Sequence, residues 1–239
     1  MALDHALMAR ARSTGESVLR VYSWAQPTLS LGRNQLARGV YADDVLAARG
    51  IGVVRRPTGG RALLHHREIT YSVTAPVTAD DLSTAYQGIN ALLGGALARL
   101  GVPVEVARRT HRAMPPGALP CFAEPAPGEL VVGGRKLVGS AQWRDAGALL
   151  QHGSILVDDD QVLLPSLMRE VGTPAPPPAT LREILGREPE VREVADTLFA
   201  TVSAELDSDA CRLPDGEVDA LDRATLLEHY ESSAWTWRR

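Results

Sequence analysis

Apolar and polar positions along the 239-residue chain change period several times, and each change marks an element. Leu3, Leu7 and Met8, with Ala6 and Ala11 beside them, fall on one side of a helix, and Gly15 follows as a stop. SVLRVYSW then alternates, with Val18, Arg20 and Tyr22 on one side and Leu19, Val21 and Ser23 on the other, which predicts a strand. After Gln26-Pro27, TLSLGRNQ predicts a second strand, paired with the first as a hairpin. A helix fits Ala42 to Ala48, closed by Arg49 and Gly50, and leads into the strand IGVVRR. Pro57, Thr58 and two glycines force a turn, and short strands follow at Arg61 to Leu64 and Ile69 to Ala75.

From Asp80 to Leu100 the spacing of Leu82, Tyr86, Ile89, Leu93 and Leu97 describes one helix face. Gly94-Gly95 inside it costs roughly 1 kcal/mol per glycine relative to alanine, which predicts close packing there. VPVEV is a short strand that opens into ARRTHRAMPPGALP, a loop without apolar periodicity. ELVVGGRKLVGSAQ predicts a hairpin turning at Gly133-Gly134, and ALLQHGSILVD a further strand. TPAPPPAT, residues 173–180, is a stiff, extended connector. Beyond it LREILG and VREVADTLFATVSAEL predict amphipathic helices and ATLLEHYESSAWTWRR a last one. Strands first and helices last predict an α+β fold with a mostly antiparallel sheet rather than a doubly wound parallel one.

Composition narrows the class. Hydrophobic content of 45% with 23% charged residues is that of a globular protein large enough to bury a core, and a net charge of −4 gives no overall pull toward nucleic acid. No run approaches the roughly 20 apolar residues that span a bilayer, so no membrane association is expected. The first residues have no continuous apolar segment of the signal-peptide kind, and the two cysteines, Cys121 and Cys211, lack metal or redox spacing. A reducing, cytoplasmic location is the expectation.

The densest chemistry lies between Cys121 and Ser154. Cys121 alone fits either a small buried hydrophobe or a nucleophile, and Lys136 alone fits a solvated hairpin residue. Together they allow thiol chemistry on a carbonyl: a neighbouring ammonium favours thiolate over thiol and can donate to a developing oxyanion. Backbone N–H groups near Gly139 and Ser140 can add to that stabilisation. Neither Gly139-Ser140 nor Gly153-Ser154 has the glycine-flanked pattern of a serine nucleophile elbow. RRPTGGRALLHH is either a tight hairpin or a loop where backbone approaches a ligand and arginines hold an anion. His65 and His66, adjacent in a strand, point to opposite faces, and no metal site is expected.

Several blocks, taken in order, carry a resemblance: MALDHAL, PTLSLGRNQ, RRPTGGRALLHHREITYSV, GRKLVGSAQWR and LQHGSIL, spanning positions 1 to about 157. Together they resemble the lipoate–protein ligase and octanoyltransferase family, related to biotin–protein ligases. The resemblance implies that family's catalytic-domain fold, a central mixed sheet, mostly antiparallel, flanked by helices, with residues 1–172 as the catalytic core, the connector, and a helical segment at 181–239 packed on it. It places Arg55, Arg56, Thr58, Gly59, Gly60 and Arg61 along the acyl or acyl-adenylate pocket, with His65 in its wall. Gly139, Ser140, Ala141 and Gly153 are expected to bind substrate with them, and Lys136 to contact the acyl carbonyl. His152 is either a general base or a strand-end hydrogen bonder.

PCFAEPAPGEL looks like the corresponding segment of the cysteine-dependent octanoyltransferases of Gram-positive type, where the nucleophile precedes the lysine. This implies octanoyl transfer from acyl carrier protein through a Cys121 thioester to the lysine of a lipoyl domain, or of glycine-cleavage H protein, with no cofactor. An amidotransferase moving octanoyl between lipoyl domains through the same cysteine is an alternative. Another is an ATP- and Mg-dependent lipoate ligase, although Arg61 stands where many ligases have a third glycine. A non-catalytic acyl-binding protein is a third. An apolar slot for the acyl chain is expected to be walled by the helix carrying Gly94-Gly95, and Arg108 and Arg109 are expected to meet an acidic carrier protein.

Overall fold

The computed structural model describes residues 1–77, 82–107, 121–122, 125–170 and 174–239. The chain begins with α1 (Ala2–Thr14), β1 (Val18–Tyr22), β2 (Thr28–Leu31), α2 (Asp43–Ala48), β3 (Gly52–Arg55), β4 (Leu63–His65) and β5 (Glu68–Pro76). It continues through α3 (Leu82–Arg99), β6 (Glu105–Val106), β7 (Leu130–Val132), β8 (Arg135–Asp145), β9 (Ala148–Leu156) and a 3-10 turn (Gln161–Leu167). The last elements are α4 (Leu181–Leu185), α5 (Val191–Glu205), α6 (Asp215–Asp219), α7 (Ala224–Glu231) and α8 (Ser233–Thr236).

Two sheets form. A six-stranded antiparallel sheet runs β1-β5-β9-β8-β7-β6, and a three-stranded mixed sheet runs β3-β2-β4. The expected hairpin of the first two strands does not form. β1 pairs with β5 from Val18 opposite Thr74 to Tyr22 opposite Thr70, while β2 lies parallel to β3 in the other sheet. The physical reason is burial. All four residues of β2 are buried, so it needs a neighbour on each edge, whereas β1 is half-buried throughout and serves as an edge.

One face of the large sheet is apolar. Ile69, Tyr71, Val138 and Ile155 pack there against Leu93 and Leu97 of α3 and against Leu181, Val194 and Leu198 of α4 and α5. Gly94 and Gly95 belong to this packing, as the expected close approach requires. A Cβ on Gly94 would stand 3.7 Å from Leu130, and one on Gly95 3.5–3.6 Å from Glu205 and Thr201, the side chains that α5 lays against α3. A second core joins Leu29, Leu31, Leu46, Leu64, Leu164 and Leu167 beneath the small sheet.

The other face of the large sheet is polar although buried. Glu68, Thr70, Ser72 and Thr74 alternate along β5, and His152 and Ser154 lie opposite Ser72 and Thr70 on β9. α1 covers part of this face with Asp4, which accepts from Arg20 Nη1 at 2.5 Å and Ser72 Oγ at 2.9 Å. A buried polar face pointing between two sheets is where a reaction centre can be lodged. At the C-terminal end the expected single helix is divided into α7 and α8 at Ser232, whose hydroxyl accepts the Ala234 N–H. No helix among the described residues is long and apolar enough to cross a membrane.

Candidate active site

The β7–β8 hairpin turns at Gly133 and Gly134, with φ of 55° and 73°, the pair of left-handed residues that a tight two-residue turn requires. A register shift between Leu130 and Val131 interrupts the pairing just before Val131 meets Lys136. Such bulges re-aim side chains, and Lys136 is only 4% exposed. Its Nζ donates to the Cys121 carbonyl at 2.8 Å, stands 2.8 Å from Glu129 Oε1, and lies 3.8 Å from Cys121 Sγ. The Phe122 ring centroid is 5.0 Å away. Burial works against the ammonium, but the Cys121 sulfur and Glu129 carboxylate outweigh it and hold Lys136 above the usual lysine range.

Cys121 is half-buried at the edge of an apolar cluster of Leu63, Phe122 and Leu156. Its N–H donates to the Ala62 carbonyl at 3.2 Å, which ties the cysteine to the end of the Arg55–Arg61 loop. Gly139 completes the floor. A Cβ there would stand 3.0 Å from Phe122 Cζ and 3.1 Å from Lys136 Cε, so the bare backbone lets both side chains close over it.

The guanidinium groups of Arg55 and Arg56 donate chiefly to backbone carbonyls. Arg55 Nε and Nη1 donate to the carbonyls of Thr236, Gly32 and Gln35, fastening α8 to the 32–35 loop. Arg56 is a staple inside its own turn: Nε donates to Gly59, Nη1 to the Ser30 carbonyl and hydroxyl, and Nη2 to the Arg61 carbonyl. Gly60, at φ 95°, is required by this staple, since a Cβ would stand 2.7 Å from Arg56 Nη2. Among the described residues nothing stands within 4 Å of a Cβ on Gly59.

Thr58 Oγ1 lies 2.6 Å from His152 Nε2, both buried. Burial pushes the His152 imidazolium down, against the pull of Asp4 and with the help of Arg56, to about 3. At neutral pH the ring is neutral and a weak base, which matches the hydrogen-bonding alternative. His65 stacks on Trp24 with centroids 4.2 Å apart, and its Nδ1 is 3.0 Å from Glu68 Oε1. Ser140 turns to the helical side, where its Oγ is 2.6 Å from the Tyr71 hydroxyl. Gln151 Nε2 donates to that hydroxyl at 2.9 Å and to Asn90 at 3.0 Å. Ala141 sits opposite His152 in the β8–β9 ladder.

A model of the lipoyl protein ligase A/B catalytic domain matches residues 1–203. The chain belongs to this family. The protein named octanoyltransferase LipM from Kyrpidia tusciae is 39% identical over 263 aligned residues, covering 100% of this chain and 94% of that one. Its namesake from Symbiobacterium thermophilum is 41% identical over 216, covering 84% and 79%. A solved bi-partite lipoate protein ligase from Thermoplasma acidophilum, described with its E2 lipoyl domain, superposes with a TM-score of 0.73 at 21% identity, covering 99% of this chain and 89% of that one. At that identity it speaks for the fold, and the fold expected from the sequence blocks is the one observed.

Within this lipoyl protein ligase-type domain the structure brings Cys121, Lys136 and Gly139 together and adds Glu129, which motif reading passed over. Tyr71, Gln151 and Asn90 were passed over too. One signal for the site was present in plain composition: of the 25 lysines and arginines in the chain, Lys136 is the only lysine. A chain that otherwise uses arginine throughout, yet keeps lysine here, needs a compact ammonium at this position rather than a planar fork. Arg108 and Arg109, the expected carrier-docking residues, lie outside the described residues.

Proposed function

We propose that the protein is an octanoyltransferase of protein lipoylation, working through a thioester on Cys121. The observation that carries this reading is the half-buried Cys121 sulfur 3.8 Å from the Nζ of the buried, charged Lys136. The names of the relatives and the family support the acyl group and the class of acceptor.

In the first step the Cys121 sulfur attacks the octanoyl carbonyl of acyl carrier protein. The new carbon–sulfur bond to Cys121 replaces the one to the carrier's phosphopantetheine arm, which leaves as a thiol with the proton that Cys121 gives up. In the second step a neutral lysine amine of a lipoyl domain attacks. A carbon–nitrogen bond forms, the bond to Cys121 breaks, and a proton from the amine returns to the sulfur. A thioester is already activated, so the exchange needs no ATP. Lys136 stabilises the oxyanion of both tetrahedral intermediates, with the backbone close at Gly139.

Incubation with octanoyl carrier protein, read by intact mass, tests the proposal. A hydroxylamine-sensitive adduct on the native protein and none on Cys121→Ala is expected; an adduct that survives the substitution overturns the thioester. Octanoyl H protein as donor distinguishes an amidotransferase. Lipoate-dependent release of pyrophosphate by Cys121→Ala would identify a ligase.

A further inference from the structure

We infer that Glu129 is the positioning residue of Lys136: it keeps the ammonium charged and aims it at the sulfur, making Lys136 a fixed hydrogen-bond donor and not the base of the transfer. An ammonium has three N–H donors. Two are spent at 2.8 Å, on Glu129 Oε1 and on the Cys121 carbonyl, and the third is left for the side where Cys121 Sγ stands at 3.8 Å. An acyl oxygen held beside that sulfur meets one donor, already oriented.

Glu129 is held as firmly as the lysine. Its Oε2 accepts the Ala126 N–H at 2.7 Å, its own N–H donates to the Ala126 carbonyl at 3.1 Å, and its carbonyl accepts from Ala107 at 2.8 Å. The carboxylate is 5% exposed and the ammonium 3%, so neither charge is shielded by water. A lysine buried this deeply without a counter-ion sheds its proton and becomes a base, as catalytic lysines elsewhere do. Glu129, together with the Cys121 sulfur, forecloses that role. What the third donor meets rests on the transfer reading above; the charge of Lys136 and its placement do not.

Because Lys136 is the only lysine, carbon-13-labelled lysine gives a single side-chain signal to titrate by NMR. The native protein is expected to keep that signal in its ammonium position up to the usual lysine range or beyond, and Glu129→Gln to move the midpoint to lower pH. The rate of Cys121 acylation by an octanoyl thioester should fall about 10- to 100-fold in Glu129→Gln, the worth of one hydrogen bond to a charged group. In a Lys136→Met background the same substitution should cost nothing further, because its effect passes through the lysine.

Coincident titrations of native and Glu129→Gln protein, or rate losses that multiply in the double variant, overturn the assignment. If Glu129→Gln does not fold, a native lysine that titrates below the usual range overturns it alone. A lysine that titrates as expected in a protein forming no thioester leaves Glu129 in place and removes the transfer reading instead.

Discussion

The Thr58 hydroxyl and His152 Nε2 lie 2.6 Å apart and join the glycine-rich turn to the middle of the large sheet. Burial disfavours the charged form of this ring and pushes the imidazolium down to about 3. An unfolded histidine titrates near 6.5. Below that value the unfolded chain takes up a proton that the folded one refuses, so stability is full above about 6.5 and is lost as pH falls toward about 3, with a slope of at most about 1.4 kcal/mol per pH unit. Urea unfolding between pH 7.5 and 4.5 should show a steeper loss for the native protein than for His152→Gln. Equal slopes would mean that the ring is protonated in the fold.

Gly153 is bare so that the Tyr71 ring can cross β9 and bond Ser140 on β8. A Cβ at 153 would stand 2.3 Å from the Gly139 carbonyl oxygen and 2.7 Å from Tyr71 Cε1, and neither a ladder carbonyl nor a buried ring can give way. Gly153→Ala should therefore destabilise by about 2 kcal/mol or more, as overpacking does. Tyr71→Phe, which leaves Ser140 and Gln151 without their shared partner, should cost about 1 kcal/mol. Thermal melts of both variants measure the order; Gly153→Ala as stable as Tyr71→Phe would contradict the crossing.

Much of this fold is written locally, and what was not legible is long-range. Gly133-Gly134 names its own turn, and the apolar spacing from Leu82 to Leu97 names α3, because each depends on neighbours within a few residues. The partner of β1 does not: Val18 pairs with Thr74 on the distant β5, and nothing in the 18–31 segment says that β2 will be drawn into another sheet. The hydroxyl row of β5 is buried, with Asp4 arriving from α1 to accept from Ser72 while Thr58 meets His152 on the neighbouring β9, and neither approach is written locally. Lys136 was legible from its motif, and its charge partner was not, since Glu129 reaches it only across a bulge that pattern does not show.

Arg55 ties α8 to the 32–35 loop and to its own strand β3. Its Nε and Nη1 reach Thr236, Gly32 and Gln35, and its own carbonyl accepts the Trp235 indole N–H at 2.8 Å. Arg55→Met keeps the volume and orphans those carbonyls, which should cost about 3 kcal/mol or more. Limited trypsin digestion should then release the segment holding α7 and α8 before the core is cut. Simultaneous loss of both would show that the segment is not separately tethered.

Lys136→Arg is the substitution that separates charge from shape. It preserves the positive charge but places a planar, larger head where Cε already lies 3.1 Å from the Cβ position of Gly139 and Phe122 stacks at 5.0 Å. A fork cannot reproduce three tetrahedral donors shared among Glu129, the Cys121 carbonyl and the sulfur side. Acylation of Cys121 should fall by about 100-fold or more, the scale of losing an oxyanion donor, even though the Glu129 ion pair survives. Lys136→Met, which leaves Glu129 buried without its counter-ion, should lose acylation as fully and melt lower than Lys136→Arg. Single-turnover acylation read by intact mass, beside thermal melts, measures both. An arginine variant that acylates at the native rate would mean that charge alone suffices, and the aimed third donor would have no part in the reaction.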